Sequence, residues 1–226
     1  QPRPWQPGDP IKEMPLAYPK DWVPPIPDAR PNRLDPHAER QYQFGGQSGG
    51  PNFDTPSISV DGTAFTGANP SDTVGDVGNN YYIQMVNEGG SRVLILDKTD
   101  GSMVSSFILE TLAAGSGTGC GGGTGDPIVN FDESVSNGPT ADPGRWVLTE
   151  FTNNSLCFYI SQTDDPTTGN WFLYEFVSVS GGLPDYPKYG VWPDAYYVGS
   201  NENQPSTRTY AIDRTNMLAG NTARPL

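Results

Sequence analysis

The sequence predicts an all-β protein, a partial β-propeller of about three blades behind an extended Pro-rich arm. Three observations predict it. The first is a plan that recurs three times: an Asp opening, a strand closing on Asn, then a strand ending near a Thr-Asp or Thr-Asn turn. It runs Gly75-Asp76, Tyr82–Asn87 and Val93–Asp97 with Asp100; then Gly125-Asp126, Trp146–Asn153 and Cys157–Ser161 with Asp164. The third copy is Pro193-Asp194, Tyr197–Asn201 and Tyr210–Asp213 with Asn216. Small β units repeating at roughly 40–50 residues are the sequence form of propeller blades. The second observation is composition: 27 Gly, 23 Pro and 11% aromatic residues suit short strands joined by turns. The third is the lack of any long helical periodicity. Its nearest approach, Phe107–Ala114, is short and runs into a Gly-rich tract.

In chain order, residues 1–56 read as a Pro/Gly-rich arm and linker. Eleven prolines lie within residues 1–40; proline fixes φ and removes a donor, so this segment is expected to be extended and outside any central strand. Trp5, Tyr18, Trp22 and Ile26 make it more apolar than a solvated linker, and are the expected contacts of the arm with a neighbouring subunit. The blades then span about 57–112, 126–180 and 185–226. Asp61-Gly62 between Ser57–Val60 and Thr63–Phe65 signals a hairpin or strand entry. It approaches the Asp-box turn of some propellers but is a residue short of it. Ser105–Leu109 and Trp171–Phe176 are the expected outer strands of the first two blades, and Asp132–Arg145 an exposed loop. The third blade has no fourth strand. Three incomplete blades leave a bare sheet edge and an apolar flank. The expected partner is therefore the rest of the propeller: a second chain, a cleaved fragment, or another copy of the same chain.

Formal charge is −13, all of it in residues 41–226, which hold seven basic and twenty acidic residues. Such a body repels nucleic acid and anionic lipid, and no apolar run approaches the roughly 20 residues of a membrane helix. The chain opens on Gln, as a mature secreted product would. Cys120 and Cys157 are an even pair whose closure would staple the second blade, in keeping with an extracellular or cell-surface location.

The second and third blades resemble a family of secreted bacterial β-propeller proteins. The likeness lies in Gly125-Asp126-Pro127, Arg145–Phe151, Leu156–Ser161, Pro184–Tyr197 and Tyr210–Leu218, and covers about residues 70–220. It implies the fold and secretion and lends no catalytic residue.

Candidate chemistry is sparse. The glycines of 115–125 superficially match a phosphate loop, but no Gly-Lys-Ser/Thr and no helix follow. The only histidine, His37, lies in the arm, away from any serine it could activate. No catalytic residue is assigned. Asp76, Asp126 and Asp194 fall at equivalent blade positions. If these line the channel they offer three carboxylates to Ca²⁺; if each caps a turn, backbone N–H groups hold them. Trp192, Tyr196 and Tyr197 could form a stacking platform for a glycan, or fill the space between blades. Asn153-Asn154-Ser155 matches a glycosylation sequon. The expected function is a secreted or surface-exposed, non-catalytic interaction and assembly module, with Ca²⁺ or a glycan as candidate ligand. The alternative is an extracellular carbohydrate-active hydrolase or lyase whose catalytic residues lie in blades outside this segment.

Overall fold

A computed structural model of the chain describes residues 56–133, 143–202 and 207–225. These form an all-β body of three antiparallel sheets of four, four and three strands. The first holds β1 (Val74–Val77), β2 (Tyr81–Asn87), β3 (Ser91–Asp97) and β4 (Met103–Ile108). The second holds β5 (Gly125–Asp132), β6 (Arg145–Phe151), β7 (Ser155–Ser161) and β8 (Trp171–Val177). The third holds β9 (Pro184–Val191), β10 (Tyr196–Glu202) and β11 (Thr207–Ile212). Each is a simple meander in which sequence neighbours pair, and the first strands β1, β5 and β9 lie against one another in series. Among the described residues no sheet closes into a barrel.

Strand alternation explains why the second sheet reads as almost continuously apolar. Trp146, Leu148, Cys157 and Tyr159 face the first sheet, where they meet Ile83, Met85, Val93 and Ile95. Val147, Phe151, Leu156, Phe158 and Ile160 point the other way, onto Tyr196, Val198, Tyr210 and Ile212 of the third. Both faces are thus covered, and every residue of β7 is buried. Burying a large apolar side chain contributes about 1.5–3 kcal/mol, so the middle sheet carries much of the stability. Trp146 anchors it: its ring packs edge-on to Phe131 with centroids 4.9 Å apart, and its Nε1–H donates to the Asp164 carbonyl at 3.0 Å.

The turns obey local carboxylate chemistry. Asp97 Oδ1 accepts from Thr99 N at 2.7 Å and Asp100 Oδ1 from Ser102 N at 2.8 Å, closing the β3–β4 hairpin. Asp165 accepts from Thr167 N in the same way. Asp213 caps the one short α-helix among the described residues, α1 (Arg214–Leu218), through Asn216 N at 3.1 Å.

Two sequence expectations are corrected. No hairpin forms over 57–65. Residues 58–66 instead cross the outer face of the first sheet, where the Thr63 N–H donates to Gln84 Oε1 at 2.7 Å and Thr66 Oγ1 to the Asn87 carbonyl at 2.5 Å. Gln84 thus supplies the partner a second strand would have supplied. Gly101, at φ +76°, allows the close approach; a Cβ there would stand 2.8 Å from both Ile58 and Val60. The Asn closure holds only for Asn87, since β6 ends at Phe151 and β10 runs past Asn201 to Glu202. Phe107–Ala114 is no α-helix but contributes a 3₁₀ turn, Leu109–Ala113. Cys120 and Cys157 form the expected disulfide, Cα atoms 5.7 Å apart, tying the glycine-rich connector to β7.

Candidate functional site

Three non-glycine residues among those described adopt left-handed backbone, and all three sit at the head of a first strand. They are Asp72 (φ 41°), Asp126 (φ 48°) and Tyr186 (φ 52°). Asp tolerates this region better than most residues, whereas a bulky Tyr is a true outlier there. The recurrence at the same point of each sheet turns the chain into β1, β5 and β9 in one manner. It brings Asp72 and Asp185 beside Asp126. Asp126 is pushed up to about 6, first by burial, then by Asp72 and Asp185, against a hydrogen bond from the Tyr186 backbone. Asn87 ties this corner together. Its Nδ2 donates to Asp72 Oδ2 at 2.7 Å and to the Pro70 carbonyl at 3.1 Å, while its Oδ1 accepts from Asp126 N at 2.8 Å.

The carboxylates expected to share Ca²⁺ are therefore not the ones assembled. Asp76 is engaged elsewhere: its Oδ1 accepts from Val77 N at 2.8 Å and its Oδ2 from Phe131 N at 2.7 Å, so it stitches β1 to β5. Asp194 accepts from the Tyr197 hydroxyl at 3.0 Å in the turn between β9 and β10. Among the described residues no three His, Cys, Asp or Glu side chains gather as a metal would require. The backbone-capping role thus describes Asp76, while only Asp126 joins a carboxylate cluster. Sequence reasoning missed Asp72, which follows Ser71 and lies outside the recurring pair, and Asp185, because the third copy reads from Pro193-Asp194 whereas the Pro-Asp that heads β9 is Pro184-Asp185.

The aromatic trio also divides. Tyr196 is 2% exposed and donates to Asp132 Oδ2 at 2.6 Å, inside the packing between the second and third sheets. There Arg214 clamps the same carboxylate, Nε to Oδ2 at 2.7 Å and Nη2 to Oδ1 at 2.8 Å. Tyr196 is consequently no stacking platform. Tyr197, next along the strand, points to the opposite face and is 39% exposed; Trp192 in the adjoining turn is 66% exposed. Together with Gly190 and Val191 they line a shallow hollow of about 260 Å³. Register places Tyr197 opposite Gly190 and Gly199 opposite Lys188, so this face is low and open beyond its aromatic rim. Lys188 Nζ lies 3.6 Å over the Tyr186 ring, a cation–π contact on the same sheet. The arm residues Trp5, Tyr18, Trp22 and Ile26 lie outside the described residues.

The outer face of the first sheet is different. Residues 61–66 cover part of it, leaving a groove of about 550 Å³ whose lining includes Phe65, Leu94, Leu96 and Met103 with Arg92 and Glu88. Phe65 and Met103 are 71% and 69% exposed. Arg92 is paired with Glu88, which holds the Glu88 carboxyl below its usual range.

Comparison of the sequence with protein-family models and with curated proteins returns no match. The site therefore rests on its own geometry.

Proposed function

We propose that the chain is a three-blade segment of a β-propeller that acts as a non-catalytic assembly module. In this reading the open face of the third sheet stacks on the outer face of the first sheet of a second copy. The observation that carries it is the exposure of Trp192 and Tyr197 around a hollow on a sheet whose other face is fully packed. Adjacent sheets in this molecule bury their faces against each other. The same alternation leaves one sheet face unpaired at one end, where Trp192 and Tyr197 stand beside Gly190, Gly199 and Lys188, and a groove with exposed Phe65 and Met103 at the other. Propellers normally close with four to eight blades, and two three-blade segments would make six. The Pro-rich arm, with Trp5, Tyr18, Trp22 and Ile26, would add a contact to the neighbouring copy. Secretion belongs to the same proposal, supported by the disulfide, since such bonds persist in oxidising compartments.

The test is the mass of the 226-residue chain in solution by light scattering and native mass spectrometry. A dimer that Trp192→Ser with Tyr197→Ser reduces to monomer, and that Met103→Lys also weakens, is the expected result. A monomer at about 100 µM, where even a Kd of about 10 µM would leave most of the chain dimeric, would sink the reading. The exposed ring of Trp192 favours a second one, a glycan stacked on the same face. That reading predicts a Trp192-dependent heat of binding to a soluble oligosaccharide by a monomeric protein.

A further inference from the structure

The seam between the first and second sheets holds two carboxyl groups that neither the fold nor the proposed assembly uses. Glu150, on β6, is fully buried. Its position follows from alternation: it shares a face with Trp146 and Leu148 and so points inward. Ser91 of β3 bridges it to the second carboxyl, donating from Oγ to Glu150 Oε2 at 3.0 Å and from N to Glu110 Oε1 at 3.2 Å. Glu110 Oε2 is buried without a hydrogen-bond partner. Glycines make the room: a Cβ on Gly90 would overlap Glu110 Oε1, and one on Gly123 would stand 2.2 Å from Glu150 Oε2.

The groups facing Glu150 are all acidic or neutral. They are Glu110, the Tyr159 phenol of β7, the Ser91 hydroxyl and, more weakly, the Tyr189 phenol of β9. No lysine or arginine among the described residues contributes to its charge balance. Proton counting then places a hydrogen on the carboxyl. The Tyr159 oxygen lies 3.0 Å from the Cys120 carbonyl and 3.1 Å from Glu150 Oε1. A carbonyl only accepts, and a phenol has one proton to give. With Tyr159 donating to Cys120, both contacts are satisfied only if Glu150 carries a proton and donates it to the phenol oxygen. The Cys120 carbonyl belongs to the connector 115–125, which is further held by Gly119 N donating to Glu175 Oε2 at 2.9 Å and by the Cys120–Cys157 bond.

We propose that Glu110 and Glu150 carry one proton between them, that this proton latches the glycine-rich connector over the seam between the first two sheets, and that alkalinity opens the seam locally. Losing the proton leaves a buried negative charge on Glu150 beside a half-buried one on Glu110, and one phenol proton for two acceptors. The Tyr159–Cys120 contact is then given up or the charge stays unpaired. Burial, then Glu110, pushes Glu150 up to about 8, against its bond from the Ser91 hydroxyl, and this puts the opening within reach of mild alkali. A folded-state value above the unfolded one means stability that is full in acid and lost as pH climbs to about 8.

Thermal unfolding of the full chain between about pH 5 and pH 9 tests this. The expected Tm is lower by roughly 10 °C at the alkaline end. Glu150→Gln, which keeps shape and hydrogen-bonding capacity, should remove most of that fall, and Glu110→Gln should reduce it. The local readout is the rate at which a thiol reductant opens Cys120–Cys157. The ratio of wild type to Glu150→Gln cancels the pH dependence of the reductant; it should be near one in acid and rise roughly tenfold in alkali, about 1.4 kcal/mol of opening. Equal pH profiles for wild type and both variants would overturn the proposal. So would a Tm that rises with pH, falls on chelation and is restored by Ca²⁺, because a cation and not a proton would then hold the pair.

Discussion

Single residues in this protein are decided by which way a strand turns them. Tyr196 and Tyr197 are chemically alike, yet one is sealed on Asp132 and the other borders the open hollow. Period two allows no other outcome for adjacent strand residues. Asp126 shows the same point for charge. It opens the second copy of the repeat, but its neighbours Asp72 and Asp185 set its chemistry, and Asp194, expected at the equivalent position, lies one strand later in the β9–β10 turn. Its folded-state value of about 6 lies above the usual aspartate range, so its contribution to stability is full in acid and is lost as pH rises to about 6. Asp126→Asn is accordingly expected to flatten the stability profile between about pH 4 and pH 6 and to leave the alkaline limb unchanged. Urea midpoints across that interval measure it, and an Asn variant that retains the wild-type slope would remove Asp126 as its source.

Between elements, a buried ion pair joins the second sheet to the third through the last helix. Asp132 side chain is 2% exposed and that of Arg214 11%; Tyr196 completes the carboxylate's hydrogen bonds. Arg214→Ala leaves Asp132 charged and buried, which should cost roughly 3–5 kcal/mol, read as a lower urea midpoint. A loss below about 1 kcal/mol, the surface-pair level, would mean that water replaces the arginine. Sequence made much of this scale legible. The two four-stranded sheets, the three-stranded third and the outer strands β4 and β8 follow from the repeat and from alternation. Other features depended on contacts far along the chain. The segment 57–65 reads as a hairpin until Gln84 and Asn87 compete for its hydrogen bonds. Helix α1 is too short for a periodic signal, though Asp213 three residues before Asn216 is a capping pattern. Glu150 was readable: a charge in register with Trp146 and Leu148 marks an inward position. Which face of β10 turns outward was not, since a one-residue shift exchanges the two faces.

At the scale of the molecule, the two ends of the stack of sheets differ. Residues 58–66 cover one end in part, while the other presents Trp192, Tyr197 and the small residues Gly190 and Gly199 bare. Repeat arrays need capping units to stay single, and an uncapped end invites another unit. Association of two copies has an electrostatic cost, because each carries a formal charge of −13 with the excess confined to residues 41–226. The balance gives a signature that distinguishes the proposed interface from a charged one. Salt shortens the Debye length from about 30 Å at 0.01 M to about 8 Å at 0.15 M, screening the repulsion and leaving apolar burial in place. Dimerisation should therefore tighten with added salt, roughly tenfold in Kd over that interval, as measured by sedimentation at two ionic strengths. A dimer that weakens instead would place ion pairs such as those open to Lys188 or Arg208 at the contact, and the exposed Trp192, Tyr197, Phe65 and Met103 would then not be what holds two copies together.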